Sequence, residues 1–134
     1  MKLSDPHEHH TKKSASPIKI AVITISDSRF KNSNQTSLSK SSFDESGDII
    51  KKMSKNASHE VTLYTVLPDS KLRIQSMVNH IIKEKLANVI LTTGGTGIST
   101  SDVTIESIEN ILDKKIDGFG ELFRITSYQN LNQH

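Results

Sequence analysis

Residues 18–25, 60–67 and 88–92 are short runs rich in Ile, Val, Thr and Leu, and stretches with helical spacing lie between them. The first reads as a buried strand from its β-branched content, the second alternates and then turns apolar as a second strand, and the third is a further short strand. Asp44-Glu45-Ser46-Gly47-Asp48 opens a helix with acids in its first turn, where they suit the dipole, and Ile49, Ile50 and Met53 supply its apolar stripe. A second helix starts from a cap at Asp69 or Ser70, after Pro68 has stopped the second strand, and runs to about Lys85. Its core face is Ile74, Val78, Ile81 and Ile82, with Met77 adjoining. A third begins near Asp102 and carries Ile105, Ile108, Ile111 and Leu112, and Gly118-Phe119-Gly120 leads into a further helical start at Glu121. This β-α-β-α-β-α order predicts an α/β fold around a mostly parallel sheet. Residues 30–43, rich in Ser, Asn and Lys, read as a long loop.

The chain has 134 residues, enough for one domain, with residues 1–16 read as a flexible polar tail containing His7, His9 and His10, and 17–134 as the folded unit. The absence of cysteine excludes disulfides, thiolate metal sites and cysteine nucleophiles. With 17 Lys+Arg against 15 Asp+Glu, the net charge of +2 gives no argument for a nucleic-acid or membrane surface. No apolar run approaches the ~20 residues of a membrane span, and the polar N-terminus does not read as a secretory signal, so a cytoplasmic setting is expected. His59 and His80 are isolated, and the four Phe do not interleave with basic residues as a nucleic-acid platform requires.

The third run leads into Thr92-Thr93-Gly94-Gly95-Thr96-Gly97-Ile98-Ser99-Thr100-Ser101-Asp102-Val103-Thr104. Glycines let backbone N–H groups approach an anion closely, and a following helix N-terminus adds positive potential. The segment therefore reads as a phosphate cradle with an acid beside it. It is not a P-loop, since no Gly-Lys-Ser/Thr follows, and its spacing differs from the dinucleotide Gly-x-Gly-x-x-Gly pattern. A glycine turn that serves packing alone is the alternative.

In a parallel sheet, ligands sit beyond the carboxyl ends of the strands. Asp27 follows the first strand, Asp69 the second, and Asp102 the loop after the third. All three are expected on one rim, beside the glycine loop. Carboxylates next to a phosphate cradle repel the anion unless a cation intervenes, and Mg²⁺ binds through one or two carboxylates plus substrate phosphates. The residues thus point to a Mg²⁺-assisted site for a phosphorylated ligand, with transfer at phosphorus as the reaction class. Helix capping is the competing role for Asp69 and Asp102, and one carboxylate can do both.

These residues resemble the molybdenum cofactor biosynthesis proteins of the MoaB/MogA type, whose domain also occurs as the gephyrin G-domain. The resemblance rests on Leu91-Thr92-Thr93-Gly94-Gly95-Thr96-Gly97, on Asp102-Val103-Thr104, and on Asp117-Gly118-Phe119-Gly120-Glu121-Leu122-Phe123-Arg124. Weaker matches are Val22 to Arg29, Asp44-Glu45-Ser46-Gly47 and Leu67-Pro68-Asp69, all in the family's order. It implies a three-layer α/β/α sandwich that binds molybdopterin and, in MogA-type members, uses Mg²⁺ and ATP to adenylylate the pterin phosphate. It also implies a homotrimer or homohexamer, with other cofactor-biosynthesis proteins as further partners. Carried over residue by residue, Asp69 and Asp102 are catalytic and Mg²⁺-holding, directly or through water. Ser26, Asp27, Ser46, Gly47, Thr93, Gly94, Gly95, Thr96, Gly97, Ser99 and Glu121 bind substrate. Family members continue well past the position of Tyr128, so the resemblance implies a domain lacking C-terminal elements, for which pterin binding or a scaffold role without catalysis is the alternative function.

Overall fold

The computed structural model describes residues 16–34, 44–95 and 104–131. Three strands, β1 (Lys19–Ile25), β2 (Glu60–Leu67) and β3 (Val89–Gly94), form a parallel sheet in the order β2-β1-β3. The helices are α1 (Asp27–Asn34), α2 (Glu45–Asn56), α3 (Lys71–Lys83), α4 (Thr104–Ile108), extended by a 3₁₀ turn over Glu109–Ile111, and α5 (Phe119–Leu131). The alternation in the sequence is thus the order of the fold.

The central strand explains its own composition. Ile20 to Ile25 are all buried, because β1 is covered on both faces and paired along both edges. Ala21, Ile23 and Ile25 face one way, packing with Leu67 and with Ile74, Val78 and Ile81 of α3, and Ile108 and Ile111 close the same cluster. Thr24 faces the other way, toward the start of α2. Helices therefore cover both sides of the sheet, as the three-layer expectation requires. Thr62 is the extra residue where the β1–β2 register shifts, and its hydroxyl donates to the Leu86 carbonyl at 2.8 Å, tying β2 to the turn before β3.

Several local expectations are corrected. Residues 27–34 form α1, so the expected loop at 30–43 begins as helix, because Ser26 Oγ accepts the Arg29 amide as a helix cap does. The stripe predicted for α2 is not its inner face: Ile49 and Met53 are exposed, while Gly47 and Ser54 are buried and Ile50 is half-buried. The helix is rotated by the polar anchoring of its first turn, described below. Ile82 of α3, Ile105 and Leu112 are likewise exposed. Ser70 occupies the cap position of α3 but makes no side-chain cap bond. The expected polar tail, apart from Ser16, and most of the expected loop at 30–43 lie outside the described residues.

Candidate functional site

The strand register sets the rim. Ile25 pairs with Leu67 on one side and with Gly94 on the other, so the carboxyl ends of all three strands are level. The Ser26 amide donates to the Leu67 carbonyl at 2.9 Å, which starts α1 directly over this edge. Asp27 Oδ1 then accepts the backbone amide of Asp69 at 2.8 Å. Two acids 42 residues apart in sequence are joined at one rim, as the parallel topology predicts. Asp69 is half-buried, and its hard carboxylate oxygens match the donor type Mg²⁺ takes. Among the described residues no three acids or histidines converge on a metal position. Asp102, with Thr96, Gly97, Ser99 and Thr100, lies outside the described residues.

The start of the glycine loop is shaped by packing. Gly94 and Gly95 have positive φ, +85° and +61°. A Cβ on Gly94 would overlap the Ile25 carbonyl oxygen, and one on Gly95 would overlap Thr104 Oγ1. Thr104 is buried, and its hydroxyl donates to the Gly95 carbonyl at 3.3 Å. Thr93, half-buried, pairs with Thr24 of β1. Ser26 Oγ lies 3.2 Å from Ser28 Oγ besides capping α1.

Residues 44–47 hold a polar cluster that spacing alone did not single out. Asp44 is buried, 5% exposed. Its Oδ2 accepts from the Thr24 and Tyr64 hydroxyls, each at 2.5 Å, and its Oδ1 accepts the Gly47 amide at 3.2 Å. The Arg29 guanidinium of α1 lies 3.8 Å from Oδ1. Burial pushes the Asp44 carboxyl up, but the hydrogen bonds from Thr24, Tyr64 and Gly47, with the Arg29 charge beside them, outweigh it and hold the group below the usual Asp value. Tyr64 is pushed up to about 12, first by burial and then by its bond to this carboxylate. Gly47 is glycine because a Cβ there would overlap Asp44 Oδ2 and lie 2.8 Å from Tyr64 Cε2. Ser46 is exposed beside it. The sequence signal for this cluster was an acid at a helix start, which reads equally as a simple cap.

Glu121 lies on α5. It is exposed in the first turn of α5 and pairs with Arg124 of the same helix at 3.4 Å. No residue of α5 is buried.

Residues 21–133 match the family model of the probable molybdopterin binding domain. The chain belongs to this family. Within it, the chain is 40% identical over 119 residues to the molybdenum cofactor biosynthesis protein B of Bacillus cereus, covering 89% of this chain and 64% of that one. It is 40% identical over 112 residues to a probable molybdopterin adenylyltransferase of Methanocaldococcus jannaschii, covering 84% and 64%. The fold is similar to that of the tungsten cofactor synthesizing protein MoaB of Pyrococcus furiosus, with a TM-score of 0.67 at 36% identity, covering 86% of this chain and 65% of that structure. The chain thus spans just under two thirds of the length of these relatives. Among the described residues, no helix is long and apolar enough to cross a membrane.

Proposed function

We propose that this molybdopterin-binding domain acts in molybdenum cofactor biosynthesis, binding molybdopterin and transferring an adenylyl group from ATP to its phosphate. The observation that carries the reading is the junction of Asp27 with Asp69 at the level strand ends, next to the positive-φ turn at Gly94 and Gly95. A family relative named as a probable molybdopterin adenylyltransferase supports the reaction class.

In this reading a phosphate oxygen of the pterin attacks the α-phosphorus of ATP. The bond from that phosphorus to the bridging oxygen breaks, and pyrophosphate leaves. The attacking phosphate is already ionised, so no strong general base is needed, and catalysis rests on positioning and charge stabilisation. Backbone amides of Gly94 to Gly97 hold a phosphate, while Ser26, Ser99 and Thr100 donate hydrogen bonds to the ligands. Ser46, Gly47, Thr93 and Glu121 complete the proposed substrate contacts. Asp69 and Asp102 hold Mg²⁺, and Asp27 braces Asp69 through its amide. Bound there, Mg²⁺ supplies the positive charge that lets phosphates and carboxylates share the rim. The reading includes a cytoplasmic setting and a homotrimer or homohexamer, and the exposed apolar side chains of α5 support self-association.

The test follows AMP transfer with purified protein, molybdopterin, ATP and Mg²⁺. Asp102→Asn is expected to lower transfer about 100-fold or more, about 3 kcal/mol, while molybdopterin still binds. Near-normal turnover in that variant refutes the role of Asp102. The second reading is a pterin-binding or scaffold protein without chemistry, supported by a relative whose name, molybdenum cofactor biosynthesis protein B, states no reaction. Bound pterin without ATP consumption selects it.

A further inference from the structure

The rim has a brace on the side away from the glycine loop. β1 reaches the rim through Thr24, Ile25 and Ser26, and Thr24 is completely buried, with its hydroxyl on Asp44. Tyr64 of β2 donates to the same oxygen. The other Asp44 oxygen takes the Gly47 amide at the start of α2 and faces Arg29 on α1. One carboxylate thus joins β1, β2, α1 and α2. Arg29 stands two residues after Asp27, and Thr24 three before it, so Asp44 grips the chain on both sides of the acid that holds the Asp69 amide.

We propose that Asp44 is a positioning residue for the rim, fixing the strand end and α1 so that Asp27 meets Asp69. The inference deepens the adenylyl-transfer reading and rests on it for its catalytic consequence, though its structural part stands without it. Asp44 touches no reacting atom in this account. It acts through Thr24 and Arg29 on Asp27, and through Asp27 on the turn that carries Asp69. Loss of its charge leaves two hydroxyls and one amide competing for a single acceptor. The β1 end and the start of α1 then gain freedom, while the paired strands behind them keep their ladders.

The experiment uses Asp44→Asn in the full chain, with Tyr64→Phe as a milder variant that removes one donor and keeps the carboxylate. Amide hydrogen exchange is read by NMR at Asp69, with Val22 and Ile23 as references in the strand. The expected result is about tenfold faster exchange at Asp69 in Asp44→Asn, and a smaller acceleration in Tyr64→Phe, with the strand amides unchanged. In the transfer assay kcat falls about tenfold or more while KM for ATP stays within about twofold, since the ligand groups remain but their alignment does not. A folded Asp44→Asn protein with wild-type Asp69 exchange and wild-type kcat overturns the proposal. If Asp44→Asn does not fold, Tyr64→Phe decides, and unchanged Asp69 exchange in it overturns the proposal equally. Absence of AMP transfer in the wild type sinks the functional reading alone, and the exchange measurement then decides the positioning role.

Discussion

Gly47→Ala separates helix propensity from the packing seen around Asp44. By propensity, alanine at a helical glycine stabilises by about 0.5–1 kcal/mol. The local geometry gives the opposite sign. The new methyl would overlap Asp44 Oδ2, the oxygen that accepts from both Thr24 and Tyr64, and would lie 2.8 Å from the Tyr64 ring. Hydrogen bonds to a charged group contribute about 1.5–3 kcal/mol each. Losing one and lengthening the other costs about 2–4 kcal/mol on that scale, so the net effect is a loss of about 1–3 kcal/mol. The internal control is Gly120→Ala on α5, where among the described residues a Cβ would meet the Arg124 guanidinium at 3.9 and 4.0 Å, an ordinary contact. That variant is expected to stabilise by up to about 1 kcal/mol. Urea unfolding followed by far-UV circular dichroism measures both, and in a thermal melt each kcal/mol corresponds to about 4 °C for a domain of this size. Equal stabilisation by the two variants would refute the claim that Asp44 and Tyr64 leave no room at Gly47.

The Asp44 carboxyl is held below its ordinary value in the folded chain, so its contribution to stability is complete above the unfolded value of about 3.9 and is lost as pH falls through the lower folded value. The stability gap between wild type and Asp44→Asn is therefore expected to narrow below about pH 4, and a gap that stays constant under urea titration from neutral to strongly acidic pH contradicts the assignment. The proposed homo-oligomer needs an apolar surface, and Leu122, Phe123 and Tyr128 of α5 are exposed. Replacing Leu122 and Phe123 by serine is expected to lower the mass seen by light scattering to that of one chain, and a wild type that is already monomeric refutes the oligomer.

What the sequence reveals here follows from where each residue's environment is decided. β1 is legible because it is central: burial on both faces demands a nearly continuous apolar run, and Ile20 to Ile25, broken only by Thr24, supply it. The core face of α3 is legible because Ile74, Val78 and Ile81 pack on that strand at helical spacing. The meeting of Asp27 and Asp69 follows from topology, since strand ends in a parallel sheet share an edge. The misreadings have a tertiary origin. α1 contains Ser, Asn and Lys and carries no apolar stripe, so its helicity rests on the Ser26 cap and on tethers to Leu67, Asp69 and Asp44. The inner face of α2 was misread because a buried carboxylate, not Ile49 and Met53, sets the rotation of its first turn.

The glycine loop admits two readings, a phosphate cradle and a packing turn, and packing accounts for its first two glycines. Gly94 and Gly95 adopt successive positive φ because β1 and Thr104 occupy the space a side chain would need. The Thr104 hydroxyl then holds the Gly95 carbonyl. The core thus leaves no room for a side chain at either position. A turn fixed at Gly94 and Gly95 has little ordering entropy left to lose there if a ligand binds. Packing thus fixes the two residues at which the proposed cradle begins. Alanine at Gly94 would damage it through the Ile25 carbonyl even if no ligand ever touched that position.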